Sequence, residues 1–171
     1  MSRIAVAAVA AVALSLAATP ALAAEVQFKA GDGASRGTAT LTGGPNGVMV
    51  RFALTGLTPG WHGVHFHAKG DCSDAAFQAS GGHVNHARPR QHGLLNPAGP
   101  DFGDLPNVFA AADGTVTAEV FSTLVSLNGQ GGRPDLTDAD GSAIVVHAHA
   151  DDGKTQPIGG AGDRVACAVV R

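Results

Sequence analysis

The chain has 171 residues, 44% of them apolar and 15% charged, enough for one domain with a hydrophobic core. Its 14 acidic residues outnumber its 11 basic ones and no basic patch stands out, which excludes nucleic acid as a partner. Two cysteines, Cys72 and Cys167, stand 95 positions apart, which excludes a zinc module built on closely spaced cysteine pairs.

The N-terminus opens on Met1-Ser2-Arg3, a short positive start, and continues as an apolar run from Ile4 to Ala18 broken only by Ser15. Ala21-Leu22-Ala23 then supplies a small-x-small cleavage signal, so residues 1–23 read as a secretory signal peptide, cut after Ala23 or Ala24. The unbroken apolar stretch is shorter than the roughly 20 residues that cross a bilayer. Once it is removed, no other segment suits a membrane, and the protein is expected in the periplasm or outside the cell. The remaining domain, residues 24–171, carries 10 basic and 14 acidic residues, a formal charge of −4 with histidines neutral. In an exported protein an even number of cysteines predicts a bridge, here Cys72 to Cys167.

Strand-like runs follow in order. Val26 to Ala30 and Thr38 to Thr42 come first, then Val48, Val50, Phe52 and Leu54 alternate with Met49, Arg51, Ala53 and Thr55, the period-two pattern of a half-buried strand. Gly63 to His67, Thr115 to Phe121, Ala143 to His149 and Val165 to Val170 complete the set. Turns fall between them at Gly43-Gly44-Pro45-Asn46-Gly47, Thr58-Pro59-Gly60 and Asp113-Gly114. With no helical period, this predicts an all-β, antiparallel sandwich or barrel. Two long gaps interrupt it, Ala68 to Val108 and Asp151 to Asp163, and loops of that length are usually functional when they are ordered.

The histidines indicate what those loops do. In Val64-His65-Phe66-His67 two imidazoles share one face of a strand while Val64 and Phe66 take the other. Val145-Val146-His147-Ala148-His149 repeats the arrangement, so the residues alone nominate both His147 and His149. With His83 and His92 in the long loop, this nitrogen-rich set suits copper or zinc. No serine–histidine–acid order, phosphate-binding glycine loop or carboxylate pair for hydrolysis competes with it. His62 and Trp61, by contrast, read as surface or packing residues.

Taken together, Gly63-Val64-His65-Phe66-His67, Gly70-Asp71-Cys72, Gly82-His83-Val84-Asn85, Gly103-Asp104-Leu105-Pro106-Asn107, Val145-Val146-His147, Ala150-Asp151-Asp152 and Gly162-Asp163-Arg164-Val165-Ala166-Cys167 resemble the copper/zinc superoxide dismutases, in particular their exported bacterial branch. The resemblance runs through most of the chain after the signal segment. It implies a Greek-key β-sandwich or barrel of about eight strands with two functional loops, and superoxide anion as substrate. It also implies copper held by His65, His67, His83 and His147, with His83 bridging to zinc, and gives His149 no ligand role, leaving it exposed near the rim of the site.

By the same resemblance Arg164 guides the anion, Asp151 links a copper-side histidine to a zinc-side one, and Cys72–Cys167 is the intrachain disulfide. For zinc, His83, His92 and Asp104 match three of the family's four ligands, and Asp101 stands where the family has its remaining histidine. Three outcomes stay open at that position: Asp101 completes the site, His86 does, or zinc is weak or absent. A second functional reading is a dismutase-like module that binds or buffers copper without turnover. Arg164, Asp151 and the bridging histidine favour catalysis. Nothing in the sequence specifies an oligomeric state.

Overall fold

The computed structural model describes residues 22–85 and 89–171. All but Leu22 and Ala23 of the expected signal segment, and His86, lie outside the described residues. The alternating run forms strand β3 (Gly47–Leu54), whose Val48, Val50, Phe52 and Leu54 are at most 1% exposed while Arg51 and Ala53 face solvent. It pairs with β2 (Ser35–Gly44), Leu41 opposite Val50 and Ala39 opposite Phe52, through a turn closed by Gly44 opposite Gly47. Gly47 has φ 149°, and a Cβ there would stand 2.0 Å from the Ser122 carbonyl, so only glycine fits the corner.

The remaining strands are β1 (Ala23–Lys29), β4 (Gly60–His62), β5 (Val64–His67), β6 (Val108–Ala110), β7 (Val116–Ser122), β8 (Ser142–His147) and β9 (Arg164–Val170). They form an antiparallel Greek-key arrangement: one seven-stranded sheet ordered β5-β8-β9-β1-β2-β3-β7 and a small sheet of β4 with β6. Only Gly63 separates β4 from β5, and a tight turn, Ala111 N–H to Thr115 C=O at 2.8 Å, joins β6 to β7. The small sheet therefore links the two edges of the large one, and the sheet curls around a core that includes Phe28, Leu41, Phe52, Phe66 and Ile144.

The described residues form nine strands, in line with the expected eight or so. Seven of them match the runs read in the sequence; the other two, β4 and β6, have three residues each, too short for alternation to register in a sequence. The run predicted to reach His149 stops at His147, where the β8–β9 register shifts between Val146 and His147 and the chain leaves the sheet.

Strands β5 and β8 are buried along their whole length. Val64, Phe66, Ile144 and Val146 point into the core, whereas the opposite faces lie under the two long loops. Ala143 and Val145 pack beneath Cys72, Phe77 and Cys167 in a second, smaller cluster. The Cys72–Cys167 bridge ties the first loop to β9, with its Cα atoms 5.9 Å apart. Further along, that loop lies against the outer edge of β5: Phe66 N–H donates to Gly103 C=O at 2.8 Å, and Val84 N–H donates to Phe66 C=O at 2.9 Å. A Cβ on Gly103 would come within 2.3 Å of the Phe66 oxygen, so a side chain at 103 would push the loop off the strand. No described helix is long and apolar enough to cross a membrane.

Because the bridge closes a 95-residue span, replacing both cysteines by serine should lower the urea-denaturation free energy by about 2 to 5 kcal/mol. A change below about 1 kcal/mol would show that the loop is held without it.

Candidate metal centre

On the outer face of β5, His65 and His67 project side by side, fully buried. His147 joins them from the end of neighbouring β8, and His83 pairs with His67 through an isolated backbone bridge in the loop. Ring centroids of His83 lie 4.2 Å from His65 and 5.2 Å from His67, and those of His65 and His147 are 4.9 Å apart. His149 sits apart, as the family resemblance implies: it is exposed beyond the strand end, its N–H bonded to Ala161 C=O, and it does not join the cluster.

Each clustered ring has one nitrogen engaged. The Nδ1–H groups of His67 and His147 donate to the carbonyls of Gly81 (2.8 Å) and Gly162 (2.9 Å), and His65 Nε2–H donates to Asp151 Oδ2 (2.8 Å). A carbonyl or carboxylate only accepts, so these contacts fix the tautomers and leave lone pairs on His67 Nε2, His147 Nε2 and His65 Nδ1. Those three atoms, together with His83 Nε2, are buried and have no hydrogen-bond partner. One ligand atom from each of His65, His67 and His147 lies within 4.8 Å of the others.

Beside this set is a second one, richer in oxygen. His83 Nδ1 lies 2.9 Å from Asp101 Oδ2 and 3.5 Å from Asp104 Oδ1, and His92 Nδ1 lies 2.5 Å from Asp104 Oδ1. Ligand atoms of His83, His92, Asp101 and Asp104 lie within 4.8 Å of one another, and both carboxylates are 2 to 3% exposed. Asp104 is steadied by the N–H groups of Gly93 (2.8 Å) and Asp101 (3.0 Å). Asp151 spans the two sets, with Oδ2 on His65 Nε2 and Oδ1 3.2 Å from His92 Nε2, while Gly153 N–H donates to Oδ1 at 2.6 Å.

Arg164 opens β9 with its guanidinium on three uncharged acceptors: Nη1 to Phe77 C=O (2.6 Å) and Ser80 Oγ (3.0 Å), and Nη2 to Gly81 C=O (2.8 Å). It forms no ion pair among the described residues. The sequence reading missed this seat, because backbone carbonyls leave no mark in a sequence. Of the two readings of His62, surface or packing, the second holds: it is 1% exposed and has its two ring nitrogens 2.6 Å from His147 C=O and 2.8 Å from Thr58 C=O. Trp61 is exposed and stacks edge-on against Phe109, ring centroids 5.1 Å apart.

A family model described as copper/zinc superoxide dismutase (SODC) matches residues 35–170. The chain belongs to the copper/zinc superoxide dismutase family. A Cu-Zn superoxide dismutase of Caulobacter vibrioides is 62% identical over 143 residues, covering 84% of this chain and 82% of the relative. One from Aquifex aeolicus is 38% identical over 136 residues, covering 79% and 78%. Among solved structures, a superoxide-dismutase-like protein from Bacillus subtilis superposes with a TM-score of 0.80 at 33% identity, covering 86% of this chain and 97% of that one. The Cu/Zn superoxide dismutase of Brucella abortus gives 0.68 at 29% identity, covering 88% and 100%. The dismutase is thus an oxidoreductase whose cofactors are copper and zinc, and its orphaned imidazole nitrogens are the donor type those metals take.

Without metal, the electrostatics of the two sets oppose each other. Burial holds His65 down to about 3, and burial reinforced by the charge of His83 holds His67 down to about 2. Burial likewise lowers His147 to about 4. Burial also disfavours protonated His92, but Asp104 and Asp151 outweigh it and raise His92 to about 10. Burial works against the charged forms of Asp104 and Asp151, yet their histidine hydrogen bonds keep both below the ordinary carboxylate value of 3.8.

The signs give a dome. Unfolded chains protonate His65, His67 and His147 near 6.5 and folded ones do not, so stability is lost as pH falls below 6.5. The Asp104 and Asp151 contributions disappear below 3.8, and the His92 contribution, complete below 6.5, disappears as pH climbs toward 10. The urea midpoint of the metal-free, disulfide-intact protein should therefore peak near pH 6.5 and fall on both sides; a steady rise from pH 5 to 9 would contradict this.

Proposed function

We propose that superoxide is disproportionated at a copper site formed by His65 Nδ1, His67 Nε2, His83 Nε2 and His147 Nε2. His83, His92, Asp101 and Asp104 would hold zinc beside it. The observation that carries this reading is the four buried ring nitrogens without partners, on rings whose opposite nitrogens are already engaged. Leaving four such atoms dry and unpaired is costly unless a Lewis acid takes their lone pairs. Asp101 supplies oxygen where the family has a histidine, and zinc accepts both donor types.

Copper supplies the one-electron exchange that turns one superoxide into dioxygen and another into hydrogen peroxide, while zinc supplies a redox-inert cation for the far side of His83. The protein's own residues do the rest. The His83 ring faces both sets, and its Nε2, whenever no metal engages it, would hold one of the two protons that hydrogen peroxide requires, water supplying the other. Asp151 fixes the planes of His65 and His92 from outside, and Arg164 presents a fixed positive charge that draws and orients the anion.

Export is supported by the signal-like N-terminal sequence together with the Cys72–Cys167 disulfide, a bond that persists where thiols are oxidised. We therefore assign residues 1–23 to export, residues 24–171 to the dismutase domain, and the mature enzyme to the periplasm or the medium.

Metal analysis combined with superoxide consumption tests the assignment. Parent protein should bind one copper and one zinc per chain; His147→Ala should lose copper affinity and nearly all activity. Asp101→Ala should weaken zinc at least about tenfold while Asp101→His retains it. Unchanged zinc affinity in Asp101→Ala would remove Asp101 from the site.

Arg164→Glu reverses a charge without deleting a metal donor. It should slow superoxide consumption by about tenfold or more at unchanged copper content, and added salt should slow the parent. Equal rates for both proteins across ionic strengths would rule out a guiding role.

A further inference from the structure

We infer that Ser80 is a positioning residue for the anion-guiding cation, an inference that rests on the role given above to Arg164. Its side chain is wholly buried, and its hydroxyl has two partners. The O–H donates to Phe77 C=O at 2.7 Å, and the oxygen accepts from Arg164 Nη1 at 3.0 Å. Nη1 also donates to Phe77 C=O and Nη2 to Gly81 C=O, so both hydrogens of Nη1 and one of Nη2 are engaged.

A guanidinium carries five N–H bonds. Three are taken by the protein, and the Nε–H and the second Nη2 hydrogen stay available to an incoming anion. Since every acceptor in the seat is a neutral dipole, the guanidinium is oriented without being neutralised, as a carboxylate partner would do. Among the described residues Ser80 is the only side chain in that seat; the other two acceptors are backbone.

The seat is held by packing and by hydrogen bonds. Phe77 is the single described non-glycine residue with positive φ (56°), held there by a side chain 1% exposed in the cluster around the disulfide. Asp74 caps the turn that follows, its carboxylate accepting the N–H groups of Ala76, Gln78 and Ala79 at 2.8 to 3.0 Å. That turn, Gln78–Ser80, delivers the hydroxyl beneath Nη1. Alanine at position 80 would keep the packing and delete one acceptor. One Nη1 hydrogen would then be left free, and the guanidinium would rock about its two remaining anchors.

The test compares parent, Ser80→Ala and Arg164→Glu as copper- and zinc-loaded full-length mature protein, with azide as the anion probe. Azide affinity is read from the copper absorption spectrum, and the order of the Arg164 side chain from its Nη resonances in metal-free protein. Ser80→Ala should keep its metal content and urea midpoint, bind azide and consume superoxide about three- to tenfold less well, and show faster exchange at Arg164 Nη1. Parent-like azide affinity and rate in Ser80→Ala, with both reduced in Arg164→Glu, would overturn the role of Ser80 and leave that of Arg164 standing. Arg164→Glu matching the parent would overturn both. Loss of copper from Ser80→Ala with unchanged azide affinity per bound copper would place Ser80 in the fold instead and likewise overturn the inference.

Discussion

Burying an imidazole obliges the fold to find partners for two nitrogens, and here it finds only one for each of four rings. The carbonyls of Gly81 and Gly162 and the carboxylates of Asp151 and Asp101 take one nitrogen of His67, His147, His65 and His83 respectively, and the remaining four are left dry. That imbalance governs the architecture around it. Loops must exclude water from one side of β5 and β8, the core must brace the other, and the tautomers must be set in advance so that all the lone pairs face inward. A site with exposed histidines would need none of this, because solvent would satisfy both nitrogens.

Asp151 is the economical part of this arrangement. One carboxylate touches His65 on the strand and His92 on the loop, and its charge is kept because both rings and the Gly153 N–H stabilise it. The nitrogen set and the carboxylate-rich set are thus joined through His83 within the rings and through Asp151 behind them. The first link passes through one imidazole ring; the second passes through hydrogen bonds to the outer nitrogens of two others. The same division separates His83 from Arg164, one placed among the ring nitrogens and the other seated on neutral oxygens at their margin.

What was readable in the sequence depended on periodicity and order. His65 and His67 were legible because a two-residue spacing on a strand puts them on one face, and β3 was legible because its alternation survives eight residues. His147 and His149 carried the same signal, but the shift between Val146 and His147 ends the strand, a long-range pairing effect that no local pattern encodes. Strands β4 and β6 escaped notice for lack of length. His62 stayed between surface and packing because its burial depends on a carbonyl 85 positions away, that of His147, besides the nearby one of Thr58, and Ser80 was overlooked because a serine near glycines looks like any turn residue. Asp101 was nominated by its place in the family pattern, three residues before Asp104, and its carboxylate lies near His83 and His92.

The Gly81 carbonyl accepts at once from Arg164 Nη2 and from His67 Nδ1. One peptide oxygen is therefore the common datum from which both the guanidinium and a ring of the nitrogen set are located. Thermal displacement of that peptide carries the two along together, so the spacing between them fluctuates less than either position does. A device that needs a charge at a constant offset from a reactive centre gains most from correlated error, and a single shared oxygen obtains that correlation without requiring the loop itself to be still.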